Sequence, residues 1–115
     1  MKEKNLFIPY SKPSISEEEI KKVIEVMKSG WLTSGPKVIQ FENDFKTFIS
    51  KENNLEAISV NSATSGLHLA LEACGIGGGD EIITTSLTFT ATAEVARYLG
   101  AEVKFIDIEP NSMNI

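Results

Sequence analysis

Three features of this 115-residue chain predict an α/β fold built on a parallel sheet. From residue 56 the apolar pattern loses its helical period, and short segments rich in Ile, Val and Thr appear: "EAISV" at 56–60, "DEIITT" at 80–85 and "AEVKFIDI" at 101–108. The stretches between them carry helical patterns that end at Gly75 and Gly100. The helix from about Ser65 to Cys74 is apolar on most sides, through Leu67, Leu69, Ala70 and Leu71, so it is expected to lie sandwiched between layers. Strands alternating with helices form right-handed βαβ units, and residues 56–115 therefore predict a βαβαβ run.

The preceding part, residues 1–55, is helical. "SISEEEIKKVIEVMKSG" places Ile20, Val23, Ile24 and Met27 at helical spacing, Ser16 and Glu19 form a capping-box pair, and Gly30 ends the helix. Glu17, Glu18 and Glu19 suit a helix N-terminus through the dipole and are read as a solvated face. "GWLTSGPKVIQFENDF" then sets two glycines and a proline around Trp31. Pro36 fits a first-turn position, and a second helix follows through Val38, Phe41, Phe45, Phe48 and Ile49.

Composition narrows the function classes. At 42% hydrophobic residues the chain is globular, and a formal charge of −5 with interspersed signs argues against nucleic-acid or anionic-membrane partners, which need clustered Lys and Arg. The single cysteine, Cys74, permits no internal disulfide and is expected to be a small buried hydrophobe. "MKEKNLFIPYSKP" lacks the apolar core of a signal peptide, and nothing approaches the ~20 apolar residues of a membrane helix, so a cytoplasmic location is the expectation. The only histidine, His68, falls inside the apolar helix and reads as a packed or hydrogen-bonded residue; no metal site is predicted.

The turn "NSATSG" at 61–66 carries the chemistry. It lies where a first strand meets a helix, at the sheet edge where open α/β folds bind ligands, and a helix start offers unpaired N–H groups and a positive dipole end. Small side chains let a phosphate approach the backbone, and Ser62, Thr64 and Ser65 add hydroxyls. A plain helix cap by Ser62 or Thr64, with no ligand, accounts for the same residues. The turn matches neither GxxxxGK[ST] nor GxGxxG, which disfavours a Walker NTPase and a dinucleotide-binding domain. At the carboxyl end of the second strand stand Ser86, Thr88, Phe89 and Thr90; Phe89 either stacks on a planar heterocycle or starts the next helix and packs into the core.

The turn and the aromatic, together with "IPYSKPSIS", "SGWLTSGPKVIQFENDF", "VNSATSGLHLAL", "GIGGGDEIITTSLTFTATAEV" and "LGAEVKFIDIEPNSMNI" in order, resemble the DegT and StrS type of sugar-nucleotide aminotransferases, pyridoxal-phosphate enzymes of aminotransferase fold type I. The resemblance implies a three-layer α/β/α large domain, present here as an incomplete N-terminal part: 1–55 the N-terminal helices with an active-site and dimer loop, 56–115 the first βαβαβ portion. It implies that the first strand is separated from the next two by strands made later. Ala63, Thr64 and Ser65 would hold the phosphate of pyridoxal 5'-phosphate and Phe89 would stack on its ring. Trp31 and Thr33, with Tyr10 as a further candidate, would face the substrate in the partner subunit of a homodimer.

The implied reaction moves an amino group, usually from glutamate, to a nucleotide-linked keto-sugar. The family's Schiff-base lysine and the Asp on the pyridine nitrogen come from regions past residue 115, so no catalytic residue is assigned, and Lys12, Lys37, Lys104 and Asp107 do not match those positions. The family also includes pyridoxal-phosphate sugar dehydratases, which this sequence does not separate. Two other readings stand beside it: an inactive subunit that binds a full-length homologue, and a flavodoxin-like phosphate module, which normally begins with a strand and fits poorly.

Overall fold

The computed structural model describes residues 7–52 and 54–115. They fall into two units, Met1–Ile58 and Ser59–Ile115. The first is an elbow of two helices, α1 (Glu17–Ser29) and α2 (Pro36–Ile49). The expected capping box starts α1. The Ser16 side chain accepts from Glu18 N–H at 3.2 Å and the Glu19 carboxylate accepts from Ser16 N–H, satisfying two of the first-turn donors. Gly30, at φ 74°, closes the helix in the left-handed conformation. Pro36 opens α2, where its missing N–H costs nothing, and Phe41 and Phe45 pair one turn apart with ring centroids at 6.1 Å.

The second unit is the α/β part: α3 (Ala63–Ala73), β1 (Glu81–Thr85), α4 (Ala91–Tyr98) and β2 (Glu102–Ile106). The strands pair in parallel with Glu81 opposite Glu102 and Thr85 opposite Ile106, as expected for strands joined by a crossover helix. That register sets two carboxylates side by side. Lys104, one pleat along, answers them with an ion pair to Glu81 at 3.4 Å.

Both α3 and α4 end in the same Schellman geometry. Gly75 N–H reaches Glu72 C=O and Ile76 N–H reaches Leu71 C=O; Gly100 N–H reaches Arg97 C=O and Ala101 N–H reaches Ala96 C=O. Gly75 (φ 77°) and Gly100 (φ 84°) hold the left-handed positions that a side chain would strain. The "GGGD" turn is closed by Asp80, whose Oδ2 accepts from Gly77 N–H at 2.8 Å and whose carbonyl accepts from Glu102 N–H at 2.9 Å. The Asp80 carboxylate thus closes the turn, and its backbone carbonyl ties the entry of β1 to the entry of β2.

The core of this unit is small: Ala91, Val95 and Ala96 of α4, with Ala101, are buried, and Val95 is 1% exposed. The helix α4 packs against both strands and against α3, covering the face that carries Ile82 and Val103. The alternate residues Ile83 and Ile106 are exposed.

Three expectations need correction. Residues 54–60, "EAISV" included, are irregular rather than a strand, because a strand forms only where a neighbour completes its hydrogen bonds and β1 pairs with β2 alone among the described residues. The helix α3, expected between layers, is covered by α4 on one side and leaves Leu67 and Leu69 exposed. Cys74, expected to be buried, is exposed at the C-cap of α3, because none of the few buried residues of this unit, which lie on α4 and at Ala101, covers it. His68 packs its ring edge-on against Tyr98 of α4 at 5.9 Å, in line with a packing role.

Candidate functional site

Each unit holds one group of candidate residues. The first is the start of α3. Ser62 is its N-cap, in extended conformation, and its Oγ accepts from Ser65 N–H at 3.1 Å. The Ser65 hydroxyl donates to Asn61 Oδ1 at 2.8 Å and lies 3.0 Å from Ser62 Oγ, so the side chains of Asn61, Ser62 and Ser65 lock one another. Gly66 N–H takes the first helical bond, to Ser62 C=O at 3.1 Å. This leaves the N–H groups of Ala63 and Thr64 without an acceptor among the described residues. Capping therefore accounts for Ser62 and leaves two donors over.

Those donors face the carboxyl edge of the sheet. The C-terminal turns of α3 and α4 meet near Gly77 and Leu99, where a Cβ on Gly77 would stand 3.9 Å from the Leu99 carbonyl, so the two helices finish together at the amino ends of the strands. Their first turns accordingly lie at the opposite end. Phe89 sits there in the loop between β1 and α4, 77% exposed, and is not the core residue of the alternative reading. Hydroxyls stiffen the loop: Thr85 donates to Leu87 C=O at 3.2 Å, and the Thr88 and Thr92 hydroxyls meet at 2.9 Å. An open cavity of ≈ 670 Å³ beside this loop is lined by Thr88, Phe89, Arg97 and Phe105 among others.

The chemistry of the donor set fits a phosphate ester on a flat ring: two unpaired amides at a helix start, with a hydroxyl on Thr64, and an exposed aromatic at the same edge. No group of three or more His, Cys, Asp or Glu is placed to hold a metal ion among the described residues. None of their helices is long and apolar enough to cross a membrane.

The second group is the elbow of the first unit. Trp31 and Thr33 line a cavity of ≈ 350 Å³ together with Val26, Leu32, Pro36 and Val38. Trp31 is 58% exposed and its indole N–H donates to Ser34 C=O at 3.0 Å, so the ring lies on a shaped loop and not in a core. Tyr10 lies in an irregular stretch, fully exposed, and joins neither group.

Sequence reasoning missed Asn61, which precedes the hydroxyl run and braces it, and Ser29, whose Oγ accepts from Trp31 N–H. An Asn directly before a Ser cap was the available signal for Asn61.

Residues 13–115 match the DegT/DnrJ/EryC1/StrS aminotransferase family. The spore coat polysaccharide biosynthesis protein SpsC of Bacillus subtilis is 49% identical over 115 residues, which is 100% of this chain and 29% of SpsC. Among solved structures, Streptococcus pneumoniae Spr1654, named a sugar aminotransferase and determined in PLP and PMP forms, superposes with a TM-score of 0.80 at 35% identity over 92% of this chain and 26% of that one. The Escherichia coli GDP-4-keto-6-deoxy-D-mannose-3-dehydratase with bound hydrated PLP gives 0.80 at 31% identity over 93% of this chain and 28% of that one. The chain thus spans under a third of the length of these relatives. On the family match and the shared fold, this chain belongs to the DegT/DnrJ/EryC1/StrS aminotransferase family.

Proposed function

We propose that this chain is the N-terminal segment of a pyridoxal 5'-phosphate enzyme that transfers an amino group, with glutamate as donor, to a nucleotide-linked keto-sugar in polysaccharide or amino-sugar synthesis. The observation that carries this is the start of α3, where Ala63 and Thr64 present two unpaired N–H groups beside a capped, braced turn. When bound, the cofactor supplies the electron sink that the side chains lack. The chain's own residues bind and orient. The amides of Ala63 and Thr64 and the Thr64 hydroxyl take the phosphate, the Ser65 hydroxyl stays with Asn61 and keeps the turn rigid, and Phe89 lies against the ring.

Trp31 and Thr33, with Tyr10, serve the sugar-nucleotide side of the site in the partner subunit of a homodimer. The Schiff-base lysine is assigned to no residue of this sequence. Lys104 is engaged with Glu81, and the Asp107 carboxylate accepts from Ile108 N–H at 2.9 Å. The single cysteine and acidic balance suit a reducing, cytoplasmic setting.

Titration with pyridoxal 5'-phosphate, inorganic phosphate and unphosphorylated pyridoxal, followed on the backbone amides of residues 62–66, tests the reading. The two phosphates are expected to shift Ala63 and Thr64 and pyridoxal is not. Equal shifts with all three would sink the phosphate role. A dehydratase is the second reading, favoured by the likeness to the Escherichia coli enzyme. It predicts loss of water from the sugar where a transaminase would leave an amine.

A further inference from the structure

Trp31 is held in place by an absence. A Cβ built on Gly35 would collide with Nε1, Cδ1 and Cε2 of Trp31, so the pyrrole edge of the indole occupies the space a side chain would need. Gly35 itself sits in extended backbone at φ −162°, which any residue adopts, so the glycine is required by the indole and not by the chain path. Two hydrogen bonds complete the clamp. Ser29 Oγ donates to Val26 C=O at 2.7 Å while accepting from Trp31 N–H at 3.1 Å, and Trp31 Nε1–H donates to Ser34 C=O at 3.0 Å.

We propose that Gly35 and Ser29 are positioning residues that fix the Trp31 indole in a single pose over the α1–α2 elbow, with its open face on the cavity shared with Thr33. This rests on the reading of Trp31 as a substrate-side residue, and it assigns to two further residues the orientation of that ring. The indole is a large, 58% exposed ring on a loop. A fixed pose spares substrate binding the entropy of ordering it.

The test uses the sole tryptophan as its own reporter. In the ligand-free chain, Gly35→Ala is expected to shift the single indole N–H resonance. It should speed that proton's solvent exchange by about fivefold or more, the factor for losing one ordinary hydrogen bond. It should also raise acrylamide quenching. Ser29→Ala is expected to move the same signals less, because the indole bond to Ser34 survives. Gly30→Ala strains the left-handed cap of α1 but meets nothing within 4 Å, so it reports on the elbow without the collision.

Native-like indole signals in Gly35→Ala would overturn the proposal, as would equal effects from Gly30→Ala. If Gly35→Ala does not fold, the double variant with Trp31→Ala decides: recovery of the fold shown by Trp31→Ala alone supports the collision, and failure to recover refutes it. Because the pose is read without ligand, a displaced indole with unaltered binding of UDP-N-acetylglucosamine as probe keeps the positioning role and removes the substrate role.

Discussion

Ala63→Pro separates the two tasks of the α3 start. Position 63 is the first helical residue, where proline's fixed φ is already correct and its missing N–H is one that the helix does not use. The preceding Ser62 has φ −159° and ψ 156°, inside the extended region that a following proline demands, and Ala63 is exposed, so the ring has room. The fold should therefore tolerate the change or gain about 0.4–1 kcal/mol from a stiffer unfolded chain. The anion site loses one of its two free amides.

A hydrogen bond from an amide to a charged oxygen contributes about 1.5–3 kcal/mol, which is roughly a tenfold to hundredfold loss of phosphate affinity. Urea denaturation followed by circular dichroism measures the first effect and titration with inorganic phosphate and pyridoxal 5'-phosphate the second. Ser62→Ala is the converse. It removes the cap to Ser65 N–H and should cost about 1 kcal/mol of stability while both free amides remain. Phosphate affinity unchanged in Ala63→Pro, or lost in parallel with stability in both variants, would refute the assignment of these amides to the anion.

Other outcomes follow from the same geometry. Val95→Ala should destabilise the 59–115 unit by about 2 kcal/mol, since Val95 is the one large side chain there that is fully buried, and amide exchange should rise across α4 and the strands. Glu19 is held below the usual carboxylate range by its hydrogen bond with Ser16, so its contribution to α1 is present above the unfolded value and lost as pH falls through the folded one. Helicity of α1 should therefore decline in acid, and Glu19→Gln should flatten that profile. Tyr98 is raised above its ordinary value by its hydrogen bond to the Glu94 carboxylate, so its contribution is present below the unfolded value and lost as pH rises through the folded one; Tyr98→Phe should remove the alkaline transition while keeping the ring against His68.

The local signals in this chain were legible wherever the structure depends on neighbours in sequence. Ser16 with Glu19, Pro36, and the glycines at 30, 75 and 100 each act within one turn, and they placed the helix ends correctly. The strands at 81–85 and 102–106 were legible because their β-branched runs are bounded by those same caps. "EAISV" carries an equally good strand pattern and forms none, because a strand is completed by hydrogen bonds that only a partner supplies.

The same division runs through the site. The sequence alone determined that a run of small hydroxyl residues opens a helix at a sheet edge, and the motif order around it carried the resemblance to a pyridoxal-phosphate family. Only the tertiary structure decided which donors are spent and which are left: Ser65 N–H goes to the Ser62 cap, the Ser65 hydroxyl to Asn61, and the amides of Ala63 and Thr64 remain. It also decided that Gly35 is a seat for Trp31, four residues away, because whether a side chain has room depends on where another ring lies in space and no spacing rule encodes that.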